Sequence, residues 1–195
     1  MKKLLSLVLA LCMMMTSSVS LAASLYSGGS TSSSSGSLSS VTPFKFEHKK
    51  KGINRGKCPV YSAPYSGAYR ANNGKAEVAT NSALDIGGYS EDGWLLVRYT
   101  TNSGSTRVGW IPPQYAKNAK TSMVPHFSYV KQVAAKSIKV TDDCLAPNNP
   151  NGFFAVLDPG ETYYVVGLYN YYSYGLWYIE FYIGNQVARG FIPAE

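Results

Sequence analysis

Thiols, imidazoles and carboxylates are the groups here that could attack or move protons, and they are sparse. The thiols are Cys12, Cys58 and Cys144, and the imidazoles are His48 and His126. A cysteine hydrolase needs a thiolate beside a base that a third group orients. His48 stands in a run of lysines and His126 in a connecting segment, neither on a predicted rigid strand, so no such dyad can be assembled. Asp142-Asp143 and Glu91-Asp92 are adjacent carboxylates. Neighbours on a strand point to opposite faces and neighbours in a turn are solvated, which gives no acid and base at glycosidase spacing. A zinc site lacks support in two histidines and no cysteine pair at ligand spacing, and no glycine loop is built to cradle phosphate. The reading is of a chain without catalysis, metal or cofactor.

Aromatic side chains are the richer signal. Tyr163, Tyr164, Tyr169, Tyr171, Tyr172, Tyr174, Trp177 and Tyr178 crowd one stretch, and strand alternation can bury only about half of them. Asn170 to Tyr174, Asn-Tyr-Tyr-Ser-Tyr before Gly175, is too polar to be core, so some of these rings face water or a partner. Tyr and Trp join an apolar face to a hydrogen-bonding edge at low entropic cost, which suits sugar rings and peptide backbones alike. The candidate binding residues are Tyr169, Tyr171, Tyr172 and Tyr174, with Tyr61, Tyr65, Tyr69 and Tyr89 as counterparts earlier in the chain. The alternative is that these rings cover a small core and the contact between two modules.

What positions these side chains is a pattern that occurs twice. Ala63-Pro64, Trp94, Tyr99 and Gly109-Trp110-Ile111-Pro112 recur as Ala146-Pro147, Trp177, Tyr182 and Gly190-Phe191-Ile192-Pro193. The offset is 83 as far as the Tyr and 81 thereafter. Repetition at a fixed period marks a tandem module. Strand signals fall at 58–61, 77–80, 84–89, 94–100 and 107–111, and again at 138–141, 153–157, 162–169, 177–183 and 186–191. Five short strands per copy with close turns predict an all-β chain of two small barrels. Gly184-Asn185 suits a tight primed turn, and 113–136 connects the copies with a helical turn or two near 129–136. Arg98 shares a face with Trp94 whereas Glu180 lies opposite Trp177, so a bulge shifts the phase of one copy or a charge sits at a rim.

Both copies resemble bacterial SH3 (SH3b) domains, five-stranded SH3-like barrels of exported and cell-wall proteins. The residues carrying the resemblance are Val60-Tyr61-Ser62-Ala63-Pro64, Asp92-Gly93-Trp94-Leu95-Leu96-Val97 and Val108-Gly109-Trp110-Ile111-Pro112. In the second copy they are Asp158-Pro159-Gly160-Glu161-Thr162, Leu176-Trp177-Tyr178-Ile179 and Arg189-Gly190-Phe191-Ile192-Pro193. That copy lacks the Gly before its Trp, and Phe191 replaces the closing Trp. Such modules usually attach a catalytic domain to peptidoglycan; here the resemblance implies a free-standing pair whose expected task is wall or protein binding.

The start of the chain sets the expected compartment. Met1-Lys2-Lys3, an apolar run over 4–15 and small residues at 20–23 have the order of a secretory signal, with no transmembrane segment after its cleavage. The expected division is signal peptide 1–23, Ser/Gly-rich flexible tether 24–43, first barrel with a basic lead-in 44–115, connector 116–136 and second barrel 137–195. Cys58 and Cys144 would then meet an oxidising compartment, where two readings stay open: a bridge between the halves, or buried thiols.

Net charge is +7, of which Lys2 and Lys3 leave with the signal. Residues 24–135 carry 13 basic and 5 acidic side chains, and 136–195 carry 3 and 6. Lys45, Lys49, Lys50, Lys51, Arg55 and Lys57 form the densest run, which reads as a solvated segment or, through Lys49, Lys50, Lys51 and Arg55, as a contact for anionic polymer. The expectation is a secreted, non-catalytic protein of the cell envelope that binds a cell-wall polymer, not nucleic acid, with its oligomeric state open. The alternative is an extracellular protein-interaction module, a partner or inhibitor of an envelope enzyme.

Overall fold

The computed structural model describes residues 37–49, 56–79, 82–116, 119, 121–150, 152–172 and 174–194, all within one compact unit, Ser33–Glu195. The chain is mostly β. Its strands are β1 (Pro43–Phe44), β2 (Glu47–Lys49), β3 (Cys58–Pro59), β4 (Glu77–Val78), β5 (Leu84–Tyr89), β6 (Leu95–Thr100) and β7 (Thr106–Ile111). They continue as β8 (Val130–Val133), β9 (Ile138–Thr141), β10 (Phe153–Leu157), β11 (Thr162–Tyr171), β12 (Tyr174–Ile183) and β13 (Gln186–Pro193). Each expected run contains a strand, those at 58–61 and 77–80 only over their first two residues, and Gly184, at φ +58, opens the two-residue turn between β12 and β13.

The pairing repeats strand for strand. In the first copy β2 pairs with β5, β3 with β4, and β5-β6-β7 form a meander; in the second β8 pairs with β11, β9 with β10, and β11-β12-β13 form the meander. Cys58 opposite Val78 recurs as Ile138 opposite Leu157, and the bridge from Tyr61 to Trp110 recurs as Thr141 opposite Phe191. A bulge between Ile86 and Gly88 recurs between Val165 and Gly167. The sheets stay open: among the described residues no ladder joins β10 to β8.

Three expectations need correction. The 129–136 segment is strand β8, not helix, because Val130 and its neighbours pair with Thr162–Val165 of β11. The end of the supposed tether is ordered: Leu38–Ser40 form a 3-10 turn and Val41 is buried in the second copy's core. Trp94 and Trp177 are not equivalent. Leu95 opposite Ile111 corresponds to Trp177 opposite Ile192, so Leu176 takes the place of Trp94. This puts Arg98 and Glu180 at matching positions and removes the conflict over which face is wet.

The copies are interlocked rather than strung in line. Phe44 of β1 lies parallel to β11 of the second copy before the chain turns into β2 of the first. Reciprocally, Met123 O accepts from Tyr89 N of the first copy at 2.9 Å before the chain reaches β8 of the second. The loop after β3 lies on β13, where Tyr69 N donates to Val187 O (2.9 Å) and Val187 N donates to the Tyr65 hydroxyl (3.1 Å). The loop after β9 lies on β7, where Val108 N donates to Asp142 O (3.0 Å).

Between the two sheets runs a shared core of Phe44, Trp94, Leu96, Trp110, Cys144, Val166, Tyr169, Leu176, Tyr178 and Phe191. Burial of one such side chain contributes about 1.5–3 kcal/mol, so neither copy holds its full apolar core alone.

Docking that second loop buries Asp142. Burial pushes its carboxyl up to about 6, against the attraction of Arg107 at 3.4 Å and with the help of repulsion from Asp143. The unfolded chain releases this proton near 3.8 and the native state holds it longer. Stability therefore falls as pH rises from about 4 to about 6 and stays lower above that, a loss of about 2–3 kcal/mol. Asp142→Asn is expected to flatten this slope and to raise stability at neutral pH by about 1–2 kcal/mol. Urea midpoints across that range check it; an unchanged slope would refute it.

Candidate functional site

The hairpin joining β11 to β12 is the element that sets the second copy apart. Tyr89 opposite Leu95 corresponds to Leu168 opposite Trp177, with five intervening residues in the first copy and eight in the second. The extension carries Tyr169, Tyr171, Tyr172 and Tyr174, and its ladder runs to Tyr171 opposite Tyr174.

These four tyrosines divide by depth. Tyr169 is 6% exposed, and its ring meets Phe44, Phe46 and Phe191. Its hydroxyl accepts from Arg98 Nη1 at 2.6 Å, and burial pushes that hydroxyl up to about 12. Tyr169 is thus core, which corrects its assignment as a ligand contact. Tyr171 stacks on it, centroids 6.3 Å apart and planes 17° apart. Tyr172 and Tyr174 meet the Tyr171 ring edge-on at 4.5 and 5.6 Å. Tyr172 is 90% exposed at φ +49, a backbone conformation costly for any residue with a Cβ.

Beside this tip lies a shallow depression of about 430 Å³ lined by Leu145, Ala146, Pro147, Asn148, Asn149 and Tyr174. Tyr174 Oη donates to Leu145 O at 3.4 Å and ties the tip to this floor. Asp143 shapes the loop: its Oδ1 accepts from Leu145 N (2.9 Å) and Ala146 N (3.0 Å), and its Oδ2 from Thr106 N (3.3 Å). Asp142-Asp143 is therefore a buried loop device, not a solvated turn. The Asp followed by Ala146-Pro147 was the available signal, since Asp side chains cap the backbone two and three residues on.

The other candidates serve packing. Tyr61 is half-buried, edge-on to Trp94 at 5.3 Å, with Arg70 over its ring at 5.0 Å. Tyr65 joins the copies through Val187 N, and Tyr69 stacks on Phe154 at 5.8 Å. The Tyr89 hydroxyl sits 2.7 Å from both Ala116 O and Ala119 O. Lys50, Lys51 and Arg55 lie outside the described residues, and Lys49 ends β2.

Of the two readings open for Cys58 and Cys144 the structure has the buried thiols: Cys58 lies free in the first copy's core and Cys144 free in the shared one. Burial pushes Cys58 up to about 11 and Cys144 up to about 12, and the side-chain partner of Cys144 is Arg98 rather than a histidine. His48 does stand on a strand, with its Nδ1 2.6 Å from Asp85 Oδ1. Asp85 Oδ2 in turn accepts from Arg98 Nε at 2.8 Å, so the pair braces β2 against β5 and β6. Among the described residues no cluster of His, Cys, Asp and Glu could hold a metal ion, and no helix is long and apolar enough to cross a membrane.

Compared with protein-family models, curated proteins and solved structures, the chain matches none.

Proposed function

We propose that this is an exported, non-catalytic binding protein whose two copies are SH3-like modules and whose ligand is a bacterial cell-wall component, peptidoglycan foremost. One observation supports this above the rest: the second copy's extended hairpin displays Tyr172 to solvent in a left-handed conformation. A large apolar ring held exposed in an unfavourable backbone state gains nothing for the fold. Its edge-on contact with Tyr171, itself stacked on Tyr169, makes it a rigid contact of low entropic cost. The Lys49–Lys51 and Arg55 run supplies salt-sensitive attraction to anionic wall polymer on this reading.

Sedimentation with purified wall, with and without teichoic acid and across salt, tests the reading. Replacing Tyr171, Tyr172 and Tyr174 by Ser is expected to weaken pelleting about tenfold or more, since truncating central aromatic anchors costs at least 1–2 kcal/mol each. Tyr172→Gly separates binding from folding: it relaxes the turn, raising the melting temperature by about 2 °C, while affinity falls. Unchanged pelleting removes the tip from consideration, and capture of secreted protein in place of wall favours a protein-interaction module.

A further inference from the structure

We infer that the Tyr171–Tyr172–Tyr174 tip and the Leu145–Asn149 floor form a subsite for an uncharged sugar ring of a glycan strand, and not for a peptide or an anionic polymer. This rests on the reading of the tip as the contact with an envelope polymer and names which part of that polymer it takes.

Charge comes first. Among the described residues, no side chain lining the depression is ionisable other than the Tyr174 phenol. The carboxylate that shapes this loop, Asp143, is buried and occupied by the backbone N–H groups of Thr106, Leu145 and Ala146. The guanidinium of Arg98 lies beneath, engaged by Asp85 and by the Tyr169 hydroxyl. An anionic polymer would find no counter-charge here, and a charged peptide terminus or side chain would lose hydration without replacement.

Backbone availability comes second. Peptides are commonly held by main-chain hydrogen bonds to an open sheet edge. Here Tyr171 and Tyr174 pair with each other, so among the described residues the hairpin tip offers no free ladder. In the floor, Leu145 N and Ala146 N serve Asp143, Leu145 O accepts from Tyr174, and Ala146 O accepts from Asn149 N, so most of its backbone is engaged within the loop.

What the surface does present is ring faces, the Tyr171 and Tyr172 hydroxyls, and the exposed amide of Asn148. That combination matches a pyranose, whose C–H face lies on an aromatic ring while its hydroxyls reach phenols and amides. A depression of about 430 Å³ falls within the range of small-molecule sites, and its shallowness suits an extended chain passing over it.

The test is an NMR titration of the full chain with a neutral N-acetylglucosamine tetramer, a synthetic stem peptide and a glycerol phosphate oligomer in separate arms. Each is also added as competitor to the pelleting assay. The tetramer alone is expected to shift the ring resonances of Tyr171, Tyr172 and Tyr174 at millimolar concentration, and Tyr172→Ser to weaken that response about tenfold while the remaining spectrum stays native. Shifts at these rings from the peptide or the phosphate oligomer, or none from the tetramer, overturn the inference even where wall pelleting is strong. Loss of pelleting with tetramer shifts intact counts against the wall reading and leaves the sugar subsite standing.

Discussion

Replacing Arg189 by Ala is expected to cost about 3 kcal/mol of folding stability, near the lower end for breaking a buried ion pair. Arg189 is 3% exposed on β13. Its Nε donates to Glu180 Oε2 at 2.8 Å and its Nη2 to the Tyr129 hydroxyl at 2.7 Å. Four rings surround the guanidinium, with centroids at 5.1 Å for Phe127, 5.7 Å for Trp110, 5.9 Å for Tyr129 and 6.0 Å for Tyr178. Burial works against the charge, but Tyr129, Glu180 and Tyr178 together outweigh it and keep the group protonated.

Removing the cation leaves Glu180 without its partner, and most of the loss comes from that stranded carboxylate. The double change Arg189→Met with Glu180→Leu is therefore expected to recover much of what Arg189→Met loses, a coupling readable in urea denaturation. Arg189→Lys will not substitute, since one ammonium cannot keep both contacts and the stacking. A loss below about 1 kcal/mol for Arg189→Ala would mean the cage is incidental.

Gly109→Ala and Gly190→Ala are expected to destabilise by about 3 kcal/mol each, and by similar amounts. A Cβ on Gly109 would stand 2.4 Å from Val60 Cγ1 and 3.0 Å from Tyr61 O; on Gly190 it would stand 2.5 Å from Val140 Cγ1 and 2.9 Å from Thr141 O. Both glycines let the opening strand of their copy cross directly over the closing strand. Neither neighbour can yield, because valine is stiff at χ1 and the carbonyl belongs to the backbone. Gly184 is the control: its surroundings are open and only its φ of +58 calls for glycine, so Gly184→Ala should cost nearer 1 kcal/mol. Melting temperatures separate the cases, with roughly 9 °C lost for the first two and roughly 3 °C for the third. Equal, small losses at all three would show that the crossing is looser than described.

The same crossing explains why much of the fold was legible. The Gly-aromatic-Ile-Pro repeat marks the closing strands because that Gly is a steric necessity in both copies. Short apolar runs bounded by turn residues located the remaining strands because each meander buries both faces, one in its own core and the other in the shared one. Strands β2 and β8 escaped notice because Glu47-His48-Lys49 and Val130–Val133 are short edges without apolar alternation. The interlocking was hidden because a lead-in that touches the other copy first leaves no trace in local periodicity. Aligning Trp94 with Trp177 failed for a related reason. The longer hairpin shifts the second copy's numbering after Leu168, and two tryptophans near one another in the alignment sit on opposite faces.

For the site, the crowding of tyrosines was readable and their depths were not. Whether Tyr169 or Tyr172 faces water depends on Phe44 and Arg98, which arrive from distant parts of the chain. Ala146-Pro147 were read only as part of a repeat, and they join Tyr174 with Asn148 and Asn149 because Asp143 folds their loop onto the first copy.

The mutual exchange of lead-ins and loops gives the molecule the plan of a symmetric dimer whose subunits are fused head to tail. In a true homodimer every substitution appears twice, and a lengthened hairpin would have to be tolerated at both symmetry-related places. Fusion lifts that constraint, so one half can remain plain scaffold while the other specialises. A fused pair also cannot dissociate on dilution, so the shared core between the halves persists at any concentration.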